Sequence, residues 1–163
     1  MQKPKTGVRR RKTKYINIQR SKAACGPIAV ANLIKWHGFE TSYKKTLRFC
    51  LQLRAYHPRV GMWPFQLRYI LRTLQINFRV HKRFSLAKMD ALLDAGGSCI
   101  LIYDTKLGSH AVFLDRKEGR TYRTWNKSRT RPYFTRSELK KAINNSTRKV
   151  GGLYVYTFPA LKT

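Results

Sequence analysis

A twelve-residue run, GPIAVANLIKWH from Gly26 to His37, is apolar on nearly every side. A helix of that composition has no face to offer solvent, so it has to be buried. Pro27 stands near its first helical position and Gly38 just past its end, which are proper start and stop signals. Cys25 heads the run, with the turn pair Gly26-Pro27 directly behind it.

Around this helix the pattern predicts further elements. Tyr15-Ile16-Asn17-Ile18 alternates like a short strand and delivers Gln19 to a loop. A second helix is expected from Ser42 to about Leu53, with Leu47, Cys50 and Leu51 inward. A third starts at Pro64, with Leu67, Ile70, Leu71 and Leu74 inward. Ile76 to Val80 alternates as a strand. Ser85 caps a helix carrying Leu86, Met89, Leu92 and Leu93, which stops at Gly96-Gly97. Cys99–Tyr103, His110–Leu114 and Arg120–Trp125 then read as strands, with a turn at Glu118-Gly119. Thr135-Arg136-Ser137-Glu138 matches a capping box and opens a short helix. Gly152 to Phe158 closes the chain as a strand. Helices first and strands second indicate α+β, a helical half packed on a mostly antiparallel sheet.

The chain has 163 residues, a length suited to one domain with a real core. Its 42% hydrophobic content argues for a globular body and against disorder. Residues 1–14 are expected to form a flexible basic arm and 15–163 a single domain. Three cysteines without a CxxC pair suggest neither a disulfide framework nor a zinc site, and no cofactor is implied. The N-terminus lacks the apolar stretch of a secretory signal, and no apolar run reaches the roughly 18 residues of a membrane span. A soluble protein is expected, cytoplasmic or packaged within a virion or nucleoprotein particle.

Charge is the second constraint. Lys and Arg number 35 against 7 Asp and Glu, a net charge of +28. The arm holds Lys3, Lys5, Arg9, Arg10, Arg11, Lys12 and Lys14 and no acid, and Thr41 to Met89 holds eleven more basic residues and again no acid. Such a field attracts polyanions without sequence choice. A nucleic acid or nucleoprotein partner is expected, with Arg9, Arg10, Arg11, Lys12 and Lys14 among the contacts. No zinc finger or RRM signature separates RNA from DNA.

Four residues carry the chemistry. Cys25, at the start of a buried helix, has a thiolate that the helix N-terminus is expected to stabilise. Gln19, six residues upstream, is placed to aim its amide where the Cys25 backbone N–H also points, as in an oxyanion hole. His110 opens a strand after Gly108-Ser109, with Val112 and Leu114 on its face. Asn126 ends the next strand, so its amide oxygen is expected to meet the imidazole N–H and fix the tautomer. Singly, these are a core cysteine, a loop glutamine, a strand histidine and a turn asparagine. Together they supply nucleophile, oxyanion donor, base and orienter for thiol-based acyl transfer. Cys50 and Cys99, inside apolar stretches, read as structural. His37, His57 and His81 are less suited to the base role.

The run QRSKAACGPIAVANLIKWHGF resembles the nucleophile region of the double-glycine leader peptidase family, compact papain-like cysteine peptidases. GSHAVFLD, WNKS sixteen residues after the histidine, and TRSEL fall where that family has its histidine strand, its acidic or amide residue and a helix. The resemblance spans Ile16 to Phe158. It implies a papain-like fold, an N-terminal helical lobe facing a C-terminal antiparallel sheet. By the same resemblance Gln19 is the oxyanion donor, Cys25 the nucleophile, His110 the base and Asn126 the orienter. Asparagine stands where the family usually has aspartate. The flanks Ala23-Ala24 and Gly26-Pro27 differ from the CGSCW-type signature of papain and the cathepsins. The implied activity is peptide hydrolysis, with amidase- or transglutaminase-like acyl transfer open to the same residues. An alternative is a catalytically idle scaffold serving as a structural, nucleic-acid-associated component of a virion or ribonucleoprotein.

Overall fold

The structure, a computed structural model, describes residues 14–17, 23–128, 130–148 and 152–161. Of the expected arm, Lys14 is described and is exposed; Arg9, Arg10, Arg11 and Lys12 lie outside the described residues, as do Ile18 and Gln19. In chain order the elements are α1 (Cys25–Trp36), α2 (Tyr43–Gln52), α3 (Pro64–Thr73), β1 (Arg79–His81), α4 (Leu86–Asp94), β2 (Ser98–Thr105), β3 (Gly108–Glu118), β4 (Thr121–Trp125), β5 (Tyr133–Thr135), α5 (Arg136–Thr147) and β6 (Tyr154–Phe158). The strands form an antiparallel sheet in the order β1-β6-β2-β3-β4-β5. The α+β expectation holds.

Helix α1 is buried from Gly26 to Leu33, as its composition requires. Burying side chains such as Ile28, Val30 and Leu33 contributes about 1.5–3 kcal/mol each. The helix ends in a Schellman motif: Gly38, at φ +88°, donates to the Lys35 carbonyl (2.9 Å) and Phe39 to that of Ile34 (3.2 Å). Ser42 and Ser85 cap α2 and α4 through the backbone N–H groups of Lys45 and Lys88. Thr135 and Glu138 close the capping box of α5 reciprocally.

The sheet is covered on both faces. Along β2, Ile100 and Ile102 point into a core with α1, α2 and α3, while Cys99 and Leu101 point into a second core with α4 and α5. Burial on both faces makes β2 an unbroken apolar run, where a half-buried strand would alternate. The helical lobe is therefore one layer of three.

Several sequence expectations shift. Leu51 is 42% exposed, because α2 buries the adjacent stripe of Thr46 and Cys50. The Ile76–Val80 strand shortens to Arg79–His81, since the Ile76 N–H is taken by the Leu71 carbonyl in the turn that ends α3. Strand β5, which pairs with β4, is an addition to the expected strands: Tyr, Phe and Thr all favour a strand, but three residues are too short a run to show alternation. Tyr15 to Asn17 join no strand.

The N-terminus of α1 is wedged against the loop before α3. A Cβ on Gly26 would lie 2.8 Å from Met62 Cβ and 3.1 Å from its sulfur. Alanine favours a helix over glycine by about 1 kcal/mol, but this overlap involves the rigid base of a side chain. Gly26→Ala is therefore expected to lose about 1–3 kcal/mol of stability in denaturant titration. An unchanged or raised midpoint would mean that Met62 is not seated there.

Candidate functional site

Cys25 is the first residue of α1 and half-buried. The backbone N–H groups of Ala111, the residue after His110, of Gly26 and of Cys25 itself lie near its sulfur. Those N–H groups favour the thiolate. Burial opposes them and prevails, so the thiol is pushed above its ordinary value. The lowered pKa expected from the helix N-terminus is thus overturned by desolvation.

His110 is half-buried on β3, and burial draws its pKa below the ordinary value, partly offset by the Asn126 carbonyl. Its Nε2 lies 2.7 Å from that main-chain oxygen. A carbonyl can only accept, so Nε2 carries the proton and Nδ1 keeps its lone pair. The orienting contact expected from the Asn126 side chain is made here by its backbone. Asn126 sits at φ +74°, a left-handed conformation that asparagine tolerates better than most residues. Tyr103 meets the His110 ring edge-on at 5.9 Å. Burial pushes its phenol up to about 12, with Cys25 contributing in the same direction.

The segment leading toward Gln19 is held by side chains that sequence reading missed. Asn32, fully buried in α1, accepts from the Ile16 N–H at 2.7 Å and donates to the Ile16 carbonyl at 2.9 Å. Its amide thereby does for Ile16 what a neighbouring strand would do. Asn17 accepts from the Asn126 N–H at 2.9 Å and donates to the Ser128 carbonyl at 2.7 Å. The segment before Gln19 and the turn that orients His110 are consequently one hydrogen-bonded unit. Tyr15 stacks on Trp125 at 4.8 Å with its phenol near Asp115, whose carboxylate takes Arg123 and the Trp125 indole N–H. A lone asparagine inside an apolar helix was the available signal, because an unpaired buried amide is costly.

Cys50 and Cys99 are fully buried. Burial pushes the Cys50 thiol up to about 12 and the Cys99 thiol further. His81 contacts the Thr157 hydroxyl at 3.1 Å, while His37 and His57 lie in turns. Among the described residues no group of His, Cys, Asp and Glu could hold a metal ion, and no helix is long and apolar enough to cross a membrane.

No protein-family model and no curated protein matches the chain. Solved structures do. The peptidase domain of Streptococcus ComA, a bifunctional ABC transporter involved in a quorum-sensing pathway, is 14% identical with a TM-score of 0.61, over 90% of this chain and 99% of that one. A double-glycine-motif protease from an AMS/PCAT transporter, in complex with its leader peptide, is 13% identical with a TM-score of 0.59, over 89% and 91%. A C39-like peptidase from Bacillus anthracis is 12% identical with a TM-score of 0.61, over 93% and 96%. The chain has the fold of the double-glycine peptidase domains. Within that fold, the expected helical lobe and antiparallel sheet correspond to α1–α3 and the sheet described above.

Both shifts favour the neutral forms, a thiol at Cys25 and an imidazole at His110. Thiolate is the reactive form, so the raised pKa places less of it at neutral pH than a free cysteine has. Iodoacetamide should accordingly modify Cys25 in preference to Cys50 and Cys99. Its rate should climb with pH and inflect above the ordinary thiol value of about 8.5. A rate already flat at pH 7 would instead reveal a preformed thiolate–imidazolium pair.

Proposed function

We propose that this chain is a cysteine peptidase in which Cys25 is the nucleophile and His110 the general base. The observation that carries the reading is an imidazole whose Nε2 proton is held by a main-chain carbonyl, next in sequence to Ala111, whose N–H lies near the Cys25 sulfur, in a chain with the fold of the double-glycine peptidase domains. In this tautomer Nδ1 is the basic atom. It takes the thiol proton as the sulfur attacks the scissile carbonyl carbon, forming the C–S bond. The backbone N–H of Cys25 and the amide of Gln19 receive the developing oxyanion. Collapse of the intermediate breaks the C–N bond, and the imidazolium returns its proton to the leaving amine. Water, deprotonated by the same imidazole, then releases the acid from the thioester.

Because burial biases both groups toward their neutral forms, the proton passes to Nδ1 as the sulfur attacks. Asn126 acts as orienter, chiefly through its carbonyl, and Asn17 braces it. The substrate is a peptide or protein segment, in line with the leader peptide bound by the transporter protease of the same fold. Cys25→Ala and His110→Ala are expected to cut peptide hydrolysis by about a thousandfold or more, with folding intact. Gln19→Ala should lower kcat by roughly 10²–10³. Full turnover by Cys25→Ala would end the peptidase reading.

A second property rests on a different observation, the charge of +28. A peptidase needs no such field, and its self-repulsion works against a compact chain. The surface associates with nucleic acid or a nucleoprotein particle, and the basic residues of the first fourteen positions add to it. If the site is idle, this is the property that remains, as a structural component of a virion or ribonucleoprotein. Cys25→Ala protein is expected to bind random RNA or DNA at low salt, with affinity falling steeply as salt rises. Absence of binding at low salt would remove the polyanion partner and leave the peptidase reading untouched.

A further inference from the structure

Helix α3 turns Leu67, Ile70 and Leu71 into the core and leaves Phe65 and Tyr69 on its solvent side, 67% and 52% exposed. These two are four residues apart and Arg72 follows three later, so the three form one stripe along the helix. Trp63, immediately before the helix, is 56% exposed. A single exposed aromatic needs no explanation, but three within seven residues do.

The cations around them are equally concentrated. Gln66 accepts from the Trp63 N–H at 2.8 Å and donates to the Arg54 carbonyl at 3.4 Å, which brings the main chain of exposed Arg54 near that of Trp63. Arg59 is exposed in the His57–Gly61 turn that leads into Trp63. No carboxylate occurs between Thr41 and Met89. An apolar protein partner covering this face would bury guanidinium groups with no local acid to pair them, which is costly. Flat rings among guanidiniums suit a polyanion whose bases stack while its phosphates take the charge.

We propose that Trp63, Phe65 and Tyr69 form a stacking platform for single-stranded nucleic acid, with Arg54, Arg59 and Arg72 on its phosphates. This rests on the polyanion reading above and names its surface. Stacking is indifferent to base identity, so the platform tolerates any sequence. Duplex DNA, whose bases are already stacked, gains only the phosphate contacts. The platform also adjoins the candidate site, because Met62, next to Trp63, packs on Gly26 beside Cys25. Nucleic acid held here places the site close to whatever protein shares the strand.

The test is fluorescence anisotropy of the full chain with a mixed-sequence single-stranded oligonucleotide and a duplex of equal length, across a salt series. The variants are Trp63→Ala/Phe65→Ala/Tyr69→Ala and, as a charge control on another face, Lys140→Ala/Lys141→Ala. The aromatic variant should lose roughly tenfold or more in single-strand affinity. Its salt slope, duplex affinity and melting temperature should stay as in the unaltered chain. The control should shift single-strand and duplex binding alike. Unchanged single-strand binding by the aromatic variant overturns the platform while the polyanion reading stands. No binding by the unaltered chain overturns both. A variant that keeps nucleic acid but raises KM for a peptide assigns this face to the substrate and overturns the platform as well.

Discussion

Everything at the candidate site depends on a helix with no polar face being covered from all sides. Helix α1 meets that requirement by lying between β3, α2 and the loop before α3, where Met62 closes on Gly26. The same burial creates a problem at Asn32, whose amide would be expensive to leave unpaired. The Ile16 backbone resolves it with two hydrogen bonds. One polar atom pair inside an apolar helix thus fixes the path of the segment toward Gln19. Hydrophobic burial sets where α1 sits, and the demand for polar satisfaction sets what lies across it.

From that placement the electrostatics follow. A helix N-terminus and three backbone N–H groups all favour a charged sulfur, yet half-burial outweighs them. The imidazole is shifted in the opposite direction by the same desolvation. Both groups are thereby biased toward their neutral forms. In the proposed reaction, a proton passing from Cys25 to His110 would be stabilised by dipoles that the fold already aligns, the Ala111 N–H near the sulfur and the Asn126 carbonyl on Nε2.

Much of the fold was visible in local patterns. The caps at Ser42, Ser85 and Thr135, the stop at Gly38 and the strand runs around Cys99 and His110 each have short-range causes, and each appears where expected. Errors gathered where distant parts of the chain compete. Ile76 looked like a strand residue by alternation, but its N–H went to the end of α3. Tyr15 to Asn17 alternated too, yet a side chain took the place of a neighbouring strand. Composition places Leu51 inward, whereas α2 buries the stripe of Thr46 and Cys50.

At the candidate site the division is similar. Residue types and spacing sufficed to nominate Cys25, His110, Asn126 and Gln19, because a thiol, a base and amide groups are chemical identities written in the chain. Whether His110 is oriented by an amide side chain or a carbonyl, and whether Cys25 rests as thiol or thiolate, depends on backbone direction and on how much water is excluded. Both are properties of packed elements far apart in sequence, so no local pattern encodes them. Asn126 shows the difference most plainly: its identity suits a positive φ, and the fold converts that conformation into a carbonyl aimed at His110.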